Sequence, residues 1–160
     1  MEDYIHYLRA MIGHSKALSV GLTALIINEK QEVLLEKRSD NGLYCFPGGG
    51  LDYEEHVLAG VRRELREETG LDVNSWSLFM ILSGKGTTIT YPNSDITNYV
   101  DLVFFATIDS HKAKLAPQDN ESTSVFFCPL NALPPLEQFL PGTAPVIAKL
   151  KRGDFSLVID

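Results

Sequence analysis

The chain has 160 residues, of which 44% are hydrophobic and 22% charged, with a formal net charge of −7. That length fits one domain, 1–160, with a substantial core of its own. The acidic balance argues against a broad nucleic-acid-binding surface, and no apolar run reaches the length of a membrane span.

Met1 to Tyr7 carries neither a basic n-region nor an apolar h-region, so cytoplasmic residence is expected. Tyr4, Ile5, Leu8, Met11 and Ile12 recur at helical spacing before Gly13 and predict an amphipathic helix within 1–13, packed on the remainder. Leu18 to Asn28 and Glu32 to Lys37 read as strands joined by the polar turn Asn28-Glu29-Lys30-Gln31, together a hairpin. The glycines Gly48, Gly49 and Gly50 then make a turn, and a helix runs on until Gly70 stops it. Trp76 to Leu82, Thr87 to Tyr91 and Thr97 to Ile108 read as further strands, with Tyr91-Pro92-Asn93-Ser94-Asp95 turning between the last two. Ser124 to Cys128 makes one more strand. Pro129, Pro134, Pro135 and Pro141 punctuate the segment after that strand, and Ala144 to Lys151 reads as a closing helix with Pro145 in its first turn. Strands on either side of one central helix, with helices at both ends, predict an α/β fold in which a mixed β-sheet lies between helical layers. Cys45 and Cys128, both in apolar strand-like segments, read as packed free thiols.

The central helix concentrates its acids. On a wheel of roughly 100° per residue, with Glu64 at zero, Glu67 falls near −60° and Glu68 near +40°, so three carboxylates share an arc about 100° wide. Val57, Val61, Leu65 and Leu58 fall at roughly +20° to +120°, so the acids border the apolar stripe. Like charges at that spacing destabilise an exposed helix by roughly 0.2–0.5 kcal/mol per pair. A hard divalent cation, Mg²⁺ or Mn²⁺, removes that repulsion and is usually held by carboxylates together with substrate phosphates. An ordinary solvated acidic helix would explain the charges, but neither the triple glycine before it nor the Gly70 stop after it.

Gly49, Glu55 and Arg63-Glu64-Leu65-Arg66-Glu67-Glu68-Thr69-Gly70-Leu71 together resemble the complete signature of the Nudix hydrolases. The likeness extends upstream through Val33-Leu34-Leu35-Glu36-Lys37-Arg38 and Gly42 to Gly49. Tyr44 stands where the family usually has Trp, and Tyr53-Glu54 where it commonly has Pro-Gly. The resemblance implies the α/β/α sandwich of that family and a Mg²⁺ or Mn²⁺ cofactor. It implies Glu64, Glu67 and Glu68 as metal ligands, Glu55 as a further acid of the set, and a backbone carbonyl from Gly48 or Gly49.

Two candidates remain for the proton acceptor in hydrolysis: Glu67 beside the metal, and Glu121 in the loop Pro117-Gln118-Asp119-Asn120-Glu121-Ser122. Arg63, four residues before Glu67, can hold that carboxylate in one rotamer; a plain surface salt bridge is the alternative. Arg38 is a candidate phosphate clamp, with Gly49 close to the substrate. Tyr44, Tyr91 and Phe46 either stack on a nucleobase or belong to the core. His14 and His56 have no partner at metal-ligand spacing and read as structural or exposed.

These features point to a pyrophosphohydrolase that cleaves a nucleoside diphosphate linked to another moiety through attack of metal-activated water on phosphorus. The small-molecule substrate itself stays open, as does a homodimer. A regulator that binds a nucleotide without turnover is the alternative, though the acids at 55, 64, 67 and 68 all remain. An isoprenoid diphosphate isomerase ranks lower and would need an accessible Cys45.

Overall fold

The computed structural model describes residues 4–111, 113–117 and 121–159. Its elements in chain order are α1 (Tyr4–Ile12), β1 (Ala17–Asn28), β2 (Glu32–Arg38), β3 (Tyr44–Cys45), β4 (Gly48–Gly50), α2 (Val57–Thr69), β5 (Ser77–Leu82), β6 (Thr88–Thr90), β7 (Ile96–Ile108), β8 (Ser122–Pro129), α3 (Thr143–Lys151) and β9 (Val158–Ile159). The two longest apolar strands sit side by side: β1 and β7 pair in parallel from Ala17 opposite Thr97 to Asn28 opposite Ile108. The main path of the sheet runs β3-β2-β1-β7-β5-β9, with β4 on β1, β6 on β7 and β8 on β2. Among the described strands only β1 with β7 and β5 with β9 pair in parallel, so the sheet is mixed, as the element order predicts.

Alternation along the central strands sends side chains to two cores. Leu22, Ala24, Ile26, Leu34 and Phe104 meet Val61 and Leu65 of α2 on one face. Leu25, Ile27, Val33, Leu35 and Val103 meet Val146, Ile147 and Leu150 of α3 on the other. Each such aliphatic side chain, taken fully out of water, contributes roughly 1.5–3 kcal/mol. Helices on both faces of a mixed sheet make the expected α/β/α arrangement.

Three local expectations change. The β1 and β2 hairpin closes only at its base, where Ile27 faces Val33. Beyond that point β1 is taken by β4 and β7, and β2 is taken along its length by β8, from Glu32 opposite Pro129 to Arg38 opposite Ser122. The expected strand from Thr87 begins one residue later, because Lys85–Thr87 is a 3-10 turn. Finally, α1 buries none of its side chains. It is held by polar and aromatic contacts: Arg9 donates to the Ile96 carbonyl and to Thr97 Oγ1, both at 2.8 Å, and Tyr4 meets Tyr53 edge-on at 4.7 Å between ring centroids. No helix among the described residues is long and apolar enough to cross a membrane.

Candidate active site

The glycine turn enters the sheet as β4, pairing antiparallel with β1 through Gly48 opposite Thr23 and Gly49 opposite Leu22. Gly48 has φ of 152°, and a Cβ there would stand 2.0 Å from the Leu22 carbonyl oxygen, so only glycine lets the strands close. Its N–H donates to Glu68 Oε2 at 2.6 Å. A Cβ on Gly49 would lie 2.5–2.7 Å from the three carboxyl atoms of Glu64. The turn and the two acids of α2 are therefore packed directly against each other. Gly49→Ala is expected to displace the Glu64 carboxyl, the mobile end of a side chain, and not the backbone. Hydrolytic activity should then fall by about tenfold or more with a melting temperature close to wild type, as enzyme assays and thermal melts would show.

Helix α2 ends where Gly70 turns left-handed at φ of 76° and returns its N–H to the Arg66 carbonyl. On its inner side Val61 and Leu65 are fully buried, whereas Leu58, at the far edge of the expected stripe, is 50% exposed. Glu68 is only 4% exposed. At about +40° it lies inside the arc of Val57 and Val61, so it is part of the buried face and not merely its neighbour.

Arg63 is the hub of the acids. Its Nε and Nη2 fork Glu55 at 2.8 and 2.9 Å, Nη1 reaches Glu64 Oε1 at 2.7 Å, and Nη2 also donates to the Gly50 carbonyl at 3.1 Å. Glu67, the partner expected from helical spacing, is the more distant one at 3.5 Å. The bidentate geometry of a guanidinium explains the preference, since Glu55 offers both oxygens in one plane. Glu55 also accepts the Asp52 N–H at 3.2 Å, and its carboxyl is held below the usual range chiefly by Arg63. Glu54, where the family commonly has glycine, adopts φ of 57°, so the entry loop makes a left-handed turn without that residue.

Burial pushes the Glu64 carboxyl up to about 7, with Glu67 and Glu121 raising it further and Arg63 pulling it down. The charge of Glu121 is thus felt at Glu64. The Glu121 carbonyl accepts both the N–H and the hydroxyl of Ser39, at 2.8 and 2.7 Å, which anchors the start of β8 to the end of β2. The preceding loop residues 118–120 lie outside the described residues.

Burial of Glu64 also makes stability depend on pH. Between the ordinary carboxyl value of 4.5 and about 7, the folded chain keeps a proton on Glu64 that the unfolded chain has released. Without divalent ions, stability should therefore fall as pH rises through that window, by up to roughly 3 kcal/mol. Half-buried Asp101, pushed up to about 6 by desolvation, acts in the same direction. Thermal melts at pH 5 and pH 8 in EDTA should show the fall, Mn²⁺ should reverse it, and Glu64→Gln should remove most of it.

Donors of this kind, carboxylate oxygens beside a close backbone bend, suit a hard divalent cation. Among the described residues, the one group of three acid or histidine ligand atoms that already lie within 4.8 Å of one another belongs to Glu29, Asp109 and His111, all exposed. Glu64, Glu67 and Glu68 are not drawn together to that distance, and Arg63 stands among them.

A cavity opens from Gly48 and Gly49 across the sheet toward α3, with Phe46, Tyr91 and Arg38 in its wall. Arg38 forks Asp40 at 2.9 Å through Nε and Nη2 and lies 5.9 Å from the Tyr91 ring centroid. Tyr44 does not line the cavity: its ring packs between Phe126 and Phe139, the core alternative. His14 bonds Asp95 on the surface, and His56 is the exposed N-cap of α2. Cys45 and Cys128 are free and buried. The Cys45 thiol, 3.1 Å from Glu36 Oε1, is only 6% exposed and so lacks the accessibility that the isomerase role needs. Sequence reasoning missed Asp101, whose signal was a lone acid inside the apolar run Tyr99-Val100-Asp101-Leu102-Val103.

Fold and site together define an α/β protein with an acidic helix pressed against a glycine turn at the mouth of a cavity. The NUDIX domain family model matches residues 17–150, and the chain belongs to the Nudix family. It is 30% identical over 133 residues to an 8-oxo-dGTP diphosphatase from Escherichia coli K12, covering 80% of this chain and 92% of that protein. It spans about a third of the length of several other curated relatives. One is a MutT-like protein from Streptomyces ambofaciens, 40% identical over 55 residues, 34% of this chain and 36% of that protein. Among solved structures, the NUDIX domain of Shewanella oneidensis NrtR complexed with ADP ribose superimposes with a TM-score of 0.68 at 19% identity, covering 94% of this chain and 97% of that one. This last likeness is one of fold.

Proposed function

We propose that the chain is a metal-dependent pyrophosphohydrolase that cleaves a nucleoside diphosphate linked to another moiety. The observation that carries this reading is the contact of Glu64 with Gly49 and of buried Glu68 with the Gly48 N–H, which brings two acids onto one backbone bend. The 8-oxo-dGTP diphosphatase activity named for the E. coli relative supports a nucleotide substrate.

Glu64, Glu67, Glu68 and a carbonyl of Gly48 or Gly49 would hold Mg²⁺ or Mn²⁺. The ion, when bound, neutralises charge on phosphate oxygens and lowers the pKa of a water molecule. Arg63 keeps Glu64 and Glu67 at fixed distances and, through Glu55, ties α2 to its entry loop. Glu121 takes the proton from the attacking water, with Glu67 the other candidate. Arg38, already at the cavity wall, exchanges Asp40 for a phosphate oxygen. One domain, with α1 on its surface, carries all of these groups, and its place of action is the cytoplasm.

The test is release of phosphate or nucleoside monophosphate from nucleoside triphosphates, nucleoside diphosphate sugars and dinucleoside polyphosphates, with Mg²⁺ or Mn²⁺. At least one class should be turned over, and Glu121→Gln should slow it by about a hundredfold with metal uptake retained. An unchanged rate in that variant gives the base role to Glu67; no turnover of any class contradicts the reading.

A further inference from the structure

The cavity has a second end that the hydrolytic groups do not use. Gly50, Gly21 and Asp101 lie opposite one another on the neighbouring strands β4, β1 and β7, so Asp101 stands about 10 Å from the glycine turn at the usual strand spacing. Its side chain lines the same cavity as Gly48 and Gly49. Gly21 leaves the space in front of it open: a Cβ there would sit 3.0 Å from Asp101 Oδ1 and 3.3 Å from the Tyr99 ring.

Asp101 is poorly satisfied. Thr23 Oγ1 reaches both of its oxygens, at 3.0 and 2.9 Å, but a hydroxyl has one proton to give. No cation accompanies it among the described residues, since Arg38 in the same wall is engaged by Asp40. Desolvation pushes its carboxyl up to about 6, a cost that pairing with Thr23 does not remove. Strand pairing alone does not need this group, because a hydroxyl or an amide would bond Thr23 without a charge to desolvate. A carboxylate with spare acceptor sites facing a cavity fits a ligand edge that carries adjacent N–H donors.

We infer that Asp101 is the specificity-determining residue of the cavity, where it accepts hydrogen bonds from a purine that presents a ring N–H beside an exocyclic amino group, as guanine does. This rests on the proposed function in one respect, namely that the phosphate end of the ligand lies at Gly48 and Gly49. Adenine, with a ring acceptor beside its amino group, would leave Asp101 facing a lone pair and should bind less well.

Binding of guanosine, inosine and adenosine monophosphates in EDTA, followed by calorimetry, tests the inference without metal or turnover. The wild-type chain should bind them in that order, with guanosine monophosphate ahead of adenosine monophosphate by on the order of 10- to 100-fold. Asp101→Asn should lose most of that preference while keeping its affinity for adenosine monophosphate, which reports an intact cavity. The inosine measurement, which deletes one donor from the ligand, gives the same information with no change to the protein. Equal affinities in the wild type, or a preference unchanged in Asp101→Asn, would overturn the inference. Mn²⁺ uptake measured on the same protein after EDTA is removed separates the two readings: uptake without base preference sinks only this one, and base preference without uptake sinks only the hydrolase.

Discussion

Glu68→Gln is expected to lower hydrolysis by on the order of a thousandfold while the melting temperature stays equal or rises. The glutamine keeps a carbonyl oxygen for the Gly48 N–H, which Glu68 now accepts at 2.6 Å, so the glycine turn remains anchored. The group that disappears is a negative charge that is 4% exposed and sits on the same helix face as Glu64. Its removal relieves repulsion and desolvation in the metal-free protein and, under the proposed function, deletes a metal ligand. Stability and activity should therefore move apart, which distinguishes a functional acid from a structural one. Steady-state assays with Mg²⁺ and thermal melts in EDTA check both halves. Retained turnover, or a melting temperature several degrees lower, would count against the role given to Glu68.

Arg63→Ala should have the opposite signature, losing both properties together. Its guanidinium forks Glu55, reaches Glu64 and bonds the Gly50 carbonyl. Removing it leaves two acids without a counter-charge, one of them largely buried. Breaking a buried ion pair costs about 3–5 kcal/mol, and the 29% exposure of the Arg63 side chain brings the expectation to about 2–3 kcal/mol. For a chain of this size that is a drop of roughly 5–10 °C in melting temperature. Affinity for Mn²⁺ should weaken by about 10- to 100-fold as Glu64 loses its fixed rotamer. Arg63→Lys, which restores charge but not the fork, should recover stability better than affinity. Thermal melts and Mn²⁺ titrations of both variants supply the check, and a wild-type melt for Arg63→Ala would contradict the hub.

Much of the site could be read from the sequence because it is local. Glu64, Glu67 and Glu68 are neighbours on one helix, and the glycines that meet Glu64 and Glu68 precede it directly. The depth of Glu68 was available in the same wheel, where its angle falls among the apolar residues. The features that the sequence could not specify depend on distant partners. The preference of Arg63 for Glu55 over Glu67 requires the path of the entry loop, which turns at Glu54 in a conformation that glutamate rarely adopts. Strand periodicity located β1 and β2 but not their partners, because pairing of β1 with β7 and of β2 with β8 joins segments far apart in the chain. Asp101 escaped for the same reason: its surroundings are built by Thr23 from β1 and the open space at Gly21.

The most direct test of the acidic turn is titration of the wild-type chain with Mn²⁺, monitored by loss of the free-ion paramagnetic signal, beside Glu64→Gln and Glu68→Gln. Saturable uptake by the wild type, strongly weakened in both variants, is the predicted result. No uptake, or uptake that both variants keep and that is lost only when the surface group Glu29, Asp109 and His111 is altered, would contradict it.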